Sequence, residues 1–215
     1  MLCPYAWRTS LWMREVAQLQ PVEVTWKQFS LAIVNNAEPD SPRAQKGFLC
    51  GRLFIAAERL GGNAAVDRLY LALGNALHGE GKDPLDQTVL ASVLTTAGLP
   101  ADLGEIVMAD ETTLAEYRES HEDGVRHGAF GVPSLVFEGE HNAYFGPVVD
   151  PIPTGEKALE LWDFTRWAAR QPYLWEIKRD RKGHKLAPQY ATLNIEAVAD
   201  TTVDGDACAR VPSAR

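Results

Sequence analysis

The first apolar positions of the chain recur at the spacing of an α-helix. They are Leu11, Trp12, Val16 and Leu19. The segment begins at Ala6, and Pro21 ends the pattern because proline cannot continue a helix. The spacing therefore predicts a helix with one buried face over residues 6–19.

A second period follows directly, in which apolar and polar residues alternate. The apolar positions are Val22, Val24 and Trp26 and then, one residue out of phase, Phe29, Leu31 and Ile33. Alternation is typical of a half-buried strand, and a change of phase is typical of a bulge. We therefore predict one strand with a bend near Lys27-Gln28.

Helical spacing returns after residue 42 and dominates the middle of the chain. The predicted helical segments lie near residues 43–60, 64–78, 85–97, 101–108 and 114–127, with breaks at 61–62, 79–84, 98–100 and 110–111. Two short apolar runs, 135–137 and 143–145, then predict a hairpin, and residues 155–170 predict a last helix. The predicted order is helix, strand, helical block, strand, strand, helix.

Composition argues against several functional classes. The 215 residues carry a formal net charge of −8, which disfavours nucleic acid or an anionic membrane as a partner, and the basic run at 178–185 is expected to be a solvated face. No apolar run approaches the roughly 18 residues of a membrane-spanning helix. The three cysteines are too few for a secreted disulfide framework. With no signal peptide recognised ahead of the first motif, these features favour a reducing cytoplasm.

The residues that carry chemistry begin with Cys3-Pro4-Tyr5-Ala6 at the start of the first predicted helix. Proline suits the first helical position, which places Cys3 at the helix N-terminus, where unpaired N–H groups and the helix dipole stabilise a thiolate. Ala6 stands where a Cys-X-X-Cys site has its second cysteine, so no disulfide can form within this motif. Among the other cysteines, Cys50 is predicted to be a buried inert thiol, and Cys208 lies in a polar tail.

With these motifs in their order, the chain resembles the DsbA-like thioredoxin-fold oxidoreductases. It is most similar to the actinobacterial branch that includes the mycothiol-dependent nitroreductase. The segments that carry the resemblance are residues 2–12, 29–33, 74–78, 131–134, 144–148 and 161–163. The resemblance implies an α/β thioredoxin fold in which residues 1–38 and 128–180 form the core, residues 39–127 form an inserted all-helical domain, and residues 181–215 form a largely disordered extension.

The resemblance also implies a chemistry and a set of site residues. Cys3 would exchange disulfides by a monothiol mechanism, with mycothiol or glutathione as the small thiol and a disulfide or an aromatic compound as substrate. Pro133 would follow a cis peptide bond beside Cys3, with Val132 offering its backbone to the substrate. The substrate-binding candidates are Pro4, Tyr5, Trp7, His78, Val132, Pro133 and Tyr144. No metal and no tightly bound cofactor is expected, and the protein is expected to be a monomer or a homodimer.

Some of these candidates have a second interpretation. Tyr5, Trp7 and Tyr144 form either an aromatic wall for a flat nitroaromatic or quinone substrate, or ordinary packing. His78 either raises the ionised fraction of the thiol or interacts with the end of a helix. Pro133 taken alone also suits the start of an ordinary strand.

Two departures from the family pattern leave alternatives open. The first core strand of the fold has no counterpart before Cys3, which indicates either a start upstream of Met1 or a poorly folding product. Ala6 excludes the dithiol mechanism. A glutathione-transferase or isomerase chemistry of the same fold is therefore one alternative, although serine usually stands at the Cys3 position there. The other alternative is a non-catalytic paralogue.

Overall fold

A computed structural model describes residues 1–191, in which helices dominate and one small sheet is present. The prediction for Cys208 and for the rest of residues 192–215 lies outside the described residues. The elements, in chain order, are α1 (Pro4–Leu19), α2 (Leu31–Val34), α3 (Pro42–Gly74), a π-helical turn (Asn75–Gly79), α4 (Gln87–Thr96), α5 (Leu103–Ala109), α6 (Glu111–Arg126), β1 (Ser134–Leu135), β2 (Tyr144–Phe145) and α7 (Glu156–Ala169). This mixture of helices and strands is compatible with the predicted α/β class.

The first helix forms where the apolar spacing predicts it. Cys3 is its N-cap residue with an extended backbone, and Pro4 occupies the first helical turn. One face of α1 packs against α7, where Trp12 and Trp162 meet with ring centroids 6.3 Å apart. The indole N–H of Trp12 donates to the carbonyl of Ala158 at 3.0 Å, which fixes α1 along α7.

The long helix α3 forms the largest apolar cluster with α4 and α5, and it also contacts α6. Ser41 caps its N-terminus, since the hydroxyl accepts from the N–H of Ala44 at 3.3 Å. The backbone leaves helical geometry at Gly61 and Gly62, and Gly62 has a φ of 60° that favours glycine. The break predicted at residues 61–62 is therefore a kink within one helix.

The predicted strand over residues 22–33 is wrong in its second half. Leu31–Val34 is a short helix, because the hydroxyl of Ser30 accepts from the N–H of Ile33 at 3.2 Å and so caps a helical turn. Phe29 packs against His121 of α6, with ring centroids 4.4 Å apart. The local cap and this aromatic contact outweigh the alternating pattern.

The first half of that segment keeps the alternation of a strand but has no ladder partner within residues 1–191. Its backbone is held by side chains of the helices. Asn63 accepts from the N–H of Trp26 at 2.9 Å and donates to the carbonyl of Val24 at 2.8 Å. The hydroxyl of Ser120 accepts from the N–H of Gln28 at 3.2 Å and donates to its carbonyl at 3.0 Å.

The predicted hairpin is confirmed, although its strands are short. β1 and β2 are antiparallel, and Ser134 lies opposite Phe145 while Leu135 lies opposite Tyr144. They form the two-stranded sheet present in the described part of the chain. The last helix is also confirmed, as α7.

A prediction on packing concerns Gly51 of α3. A Cβ atom at this position would lie 2.3 Å from the ring of Tyr117, so Gly51→Ala should lower the free energy of unfolding by about 1–3 kcal/mol. Gly47 lies one helical turn earlier, where a Cβ would meet its nearest neighbour at an ordinary 3.6 Å. Gly47→Ala should therefore be neutral or stabilising by up to about 1 kcal/mol. Urea unfolding measures both variants, and equal effects would contradict the packing argument.

Candidate functional site

The structure brings Cys3 together with two of the predicted substrate-binding residues. The thiol of Cys3 is half-buried and free, and it donates to the carbonyl of Val132 at 3.8 Å. The peptide bond between Val132 and Pro133 is cis, as the resemblance implies. A single thiol at the start of α1 therefore faces a backbone carbonyl beside a cis-proline.

Cys50, in the helical part of the chain, lies in a different environment from Cys3. Cys50 is 1% exposed in α3, and its burial raises the pKa of the thiol to about 11. A thiol held in the protonated form away from solvent is a poor nucleophile and a poor metal ligand. Cys50 is thus a packed apolar side chain, in agreement with the prediction.

His78 lies in the π-helical turn and contacts the chain just before Cys3. Its Nε2 atom is 2.9 Å from the carbonyl oxygen of Met1, so this nitrogen carries the proton that the carbonyl accepts. Burial lowers the pKa of His78 below its ordinary value of 6.5, against the opposing effect of the hydrogen bond to Met1. His78 is therefore a neutral group that orients the backbone before Cys3.

The three aromatic candidates occupy different environments. Trp7 has no exposed surface, and its ring lies 6.1 Å from His78 and 5.7 Å from Tyr70 between centroids. Tyr5 is half-buried beneath the guanidinium of Arg181, which lies 4.5 Å from the ring centroid. Tyr144 is half-buried in β2. Because Trp7 is enclosed by protein, we expect it to support the site rather than to touch a substrate.

A cluster of charged groups beside α1 was not predicted from the sequence. Arg8 is 2% exposed and donates from Nε to Asp150 at 3.0 Å and from Nη2 to the carbonyl of Ala187 at 2.5 Å. His184 contacts the other carboxylate oxygen of Asp150 at 2.5 Å. One signal was available, because Arg8 precedes Trp12 and Val16 by one and two helical turns and so shares their buried face.

Two further contacts hold the segment after α7, one against the start of α1 and the other against the π-helical turn. The indole N–H of Trp7 donates to the carbonyl of Gln189 at 2.9 Å. The N–H of Ala191 donates to the side chain of Asn75 at 2.7 Å. Residues 184–191, which belong to the predicted C-terminal extension, thus cover the inner side of the helix that carries Cys3.

Two absences apply to the described residues only. Across residues 1–191, His, Cys, Asp and Glu side chains do not gather in a group of three or more that could hold a metal ion. No helix in that part of the chain combines the length and the apolar character that crossing a membrane requires.

The burial of His78 generates a prediction on pH dependence. A histidine with a lowered pKa in the folded state binds fewer protons than in the unfolded state, so its contribution to stability is lost as the pH falls below 6.5. Wild-type protein should therefore lose stability relative to His78→Gln between about pH 7 and pH 5. Urea unfolding at several pH values measures this difference.

The control for that experiment is His141→Gln, which removes a histidine at an exposed position. Its stability should follow the wild-type curve. Parallel curves for wild type and His78→Gln would show that the burial of His78 does not make stability depend on pH.

Comparison with known proteins places the chain in a family. The family model described as mycothiol-dependent nitroreductase Rv2466c matches residues 2–179. A relative from Mycobacterium tuberculosis, described as the uncharacterized protein Rv2286c, is 31% identical over 183 residues, which cover 84% of this chain and 79% of the relative. The branch indicated by the sequence resemblance is thereby confirmed. The chain belongs to the Rv2466c-like family of mycothiol-dependent nitroreductases.

Proposed function

We propose that this protein is a thiol-disulfide oxidoreductase that acts through Cys3 and a low-molecular-weight thiol. The observation that carries the proposal is the half-exposed thiol at the N-cap of α1, 3.8 Å from the carbonyl of Val132. The family supports an oxidoreductase in general and mycothiol as the cosubstrate. Glutathione undergoes the same thiol-disulfide exchange and is the alternative cosubstrate to mycothiol.

The proposed reaction needs one protein thiol and two molecules of the small thiol. The thiolate of Cys3 attacks one sulfur of a substrate disulfide, forms a mixed disulfide and releases the other sulfur as a thiolate, which takes up a proton. A small thiol then attacks the Cys3 sulfur of the mixed disulfide, which releases the second substrate thiol and joins the small thiol to Cys3. A second small thiol attacks the sulfur of the bound small thiol, which frees Cys3 and releases the symmetrical disulfide, so that the substrate is reduced and the small thiol is oxidised. The first backbone N–H groups of α1 stabilise the Cys3 thiolate in each cycle.

The proposal also includes a thioredoxin-like fold and roles for the other site residues. Residues 1–38 and 128–180 would form a thioredoxin-like core, with residues 39–127 as an inserted helical domain. Pro4, Tyr5, Val132, Pro133 and Tyr144 would contact the substrate, while Trp7 and His78 support the chain around Cys3. The proposed location is the cytoplasm, with the protein acting as a monomer or a homodimer.

Reduction of nitroaromatic compounds is a secondary part of the proposal. Two thiols that become one disulfide release two electrons and two protons, which convert a nitro group to a nitroso group and one water molecule. A small thiol in excess is the electron source, and Cys3 forms the mixed disulfide with it. The name of the family supports testing this activity after disulfide exchange has been measured.

The first prediction of this proposal concerns the mixed disulfide itself. Incubation with the disulfide of mycothiol or glutathione should add one small thiol to a Cys208→Ala protein, as measured by intact mass. Cys3→Ala in the same background should lose the adduct, whereas Cys50→Ala should keep it because the Cys50 thiol is buried and protonated.

The outcomes of this experiment separate the alternatives. An adduct that survives Cys3→Ala, or no adduct in any variant, would overturn the proposal and favour the non-catalytic paralogue. Transfer of glutathione to an electrophile that is undiminished by Cys3→Ala would favour the transferase or isomerase alternative.

The second prediction concerns the position of the missing second thiol. Ala6 lies one turn into α1 from Cys3, so Ala6→Cys creates the spacing of a dithiol site. In this variant the mixed disulfide should be resolved within the protein, with loss of two thiols and no lasting adduct. Ala17→Cys, at an exposed position near the end of α1, is the matched control and should leave the Cys3 adduct in place. A stable adduct on the Ala6→Cys protein would show that a thiol at position 6 does not resolve the mixed disulfide. It would contradict the inference that Ala6 occupies the position of the second cysteine of a dithiol site.

A further inference from the structure

A cation from the segment after α7 lies against the first turn of the helix that carries Cys3. The guanidinium carbon of Arg181 is 4.5 Å from the centroid of the Tyr5 ring. Tyr5 is two residues beyond Cys3, in the first turn of α1. Adding the reach of a tyrosine side chain to the dimensions of one helical turn places the charge of Arg181 within about 15 Å of the Cys3 backbone.

The turn that carries Arg181 has a defined backbone structure. The N–H of His184 donates to the carbonyl of Arg181 at 3.0 Å, and Gly183 has a φ of 79° within this turn. The N–H of Lys182 donates to the carboxylate of Asp180 at 2.9 Å, as in an Asx turn. Arg181 is thus held between two local hydrogen bonds.

An ion pair anchors this turn to α1. His184 contacts one carboxylate oxygen of Asp150 at 2.5 Å, and the other oxygen accepts from Nε of the buried Arg8 at 3.0 Å. Arg8 lies about one helical turn after Tyr5. The helix that presents the tyrosine ring therefore also fixes the turn that places Arg181 over it.

The guanidinium of Arg181 has no counter-ion within residues 1–191. The carboxylates around it have other partners, since Asp180 accepts from the backbone of its own turn, Glu176 lies 3.6 Å from Lys178, and Asp150 is bound as described above. A guanidinium that stacks on an aromatic ring keeps its N–H groups in its own plane. These donors are therefore available to an external acceptor.

The charge around Arg181 favours an anion as that acceptor. Residues 176–185 contain five lysines and arginines and two carboxylates, and all of them are exposed. The first turn of α1 contains no acidic residue. A positive region thus lies beside the start of α1 on a chain whose formal net charge is −8. Such a local field raises the concentration of anions near it.

We propose that Arg181 is a specificity-determining residue that favours disulfides carrying a carboxylate in the reaction of Cys3. This inference rests on the proposed function and names the class of its substrate. The carboxylate would accept from the N–H groups of Arg181 while the ring of Tyr5 holds the guanidinium at the first turn of α1. The chemical step is the exchange described above, and Arg181 transfers no proton or electron in it.

The test compares two aromatic disulfides that differ in charge. Dithiobis(nitrobenzoate) carries two carboxylates and dithiodipyridine is neutral at neutral pH, and each releases a coloured thiol when a protein thiolate attacks it. Stopped-flow absorbance with a Cys208→Ala protein gives a second-order rate constant for each reagent, and Cys3→Ala in the same background identifies the signal of Cys3. At about 10 mM salt, Arg181→Gln should lower the constant for the dianion about three- to tenfold and change that for the neutral reagent less than about twofold.

Three controls separate charge from other effects of the substitution. Arg181→Lys keeps the charge and should retain most of the preference for the dianion. Lys27→Gln removes an exposed cation that pairs with Glu58 at 3.7 Å, and it should leave the ratio of the two rate constants unchanged. At about 0.5 M salt, the wild type and Arg181→Gln should react with the dianion at similar rates, because salt screens exposed charges.

The outcomes distinguish this inference from the proposed function. An equal loss of rate for both reagents would show that Arg181 acts on the ionisation of the Cys3 thiol and would overturn its role in substrate selection. Unchanged rates for both reagents would overturn that role as well. In either case the proposed function would stand. A Cys3 thiol that reacts with neither reagent would overturn the proposed function and this inference with it.

Discussion

The burial of α1 on two sides is the constraint on which the site depends. On one side, Trp12 packs against Trp162 of α7 and donates to the carbonyl of Ala158. On the other side, Trp7 is enclosed and donates to the carbonyl of Gln189. A helix held on both sides cannot rotate or slide without breaking these bonds, so its N-terminus stays fixed. Cys3 gains its position from this burial, because its own side chain makes no capping hydrogen bond.

Buried cations extend the same constraint to distant parts of the chain. Arg8 binds Asp150, and Arg14 binds Asp67 at 2.5 Å while its guanidinium lies 4.8 Å from the ring of Trp26. A buried cation that loses its carboxylate is strongly destabilising. The two residues of each pair must therefore lie within hydrogen-bond distance of each other in the folded protein. Through these pairs, α1 determines where the kinked helix α3 and the segment after the hairpin lie.

The parts of the fold that could be predicted are those with local causes. Proline and the apolar spacing determine α1, and glycine determines the kink at Gly62. The strand predicted at residues 29–33 failed because one hydroxyl, that of Ser30, turns the chain into a helix. Arg8 and Asp150 are 142 residues apart, and no local pattern reports such a pairing. At the site, the family resemblance implied that Cys3 lies beside Val132 and Pro133. The enclosure of Trp7 depends in part on residues 184–191, which have no periodic signal.

The environment of Cys3 bears on the proposed exchange with a small thiol. His78 is held neutral by burial, so it adds no positive charge near the thiol, and Cys50 is sealed in α3. In the mechanism we propose, the N–H groups of α1 would therefore stabilise the thiolate, and a small thiol from solution would resolve the mixed disulfide. Close to Cys3 along the chain, the ring of Tyr5 is covered by the guanidinium of Arg181. The segment after α7 thus both fixes the helix that carries Cys3 and covers Tyr5 in the first turn of that helix, which links the surroundings of the thiol to the packing of the fold.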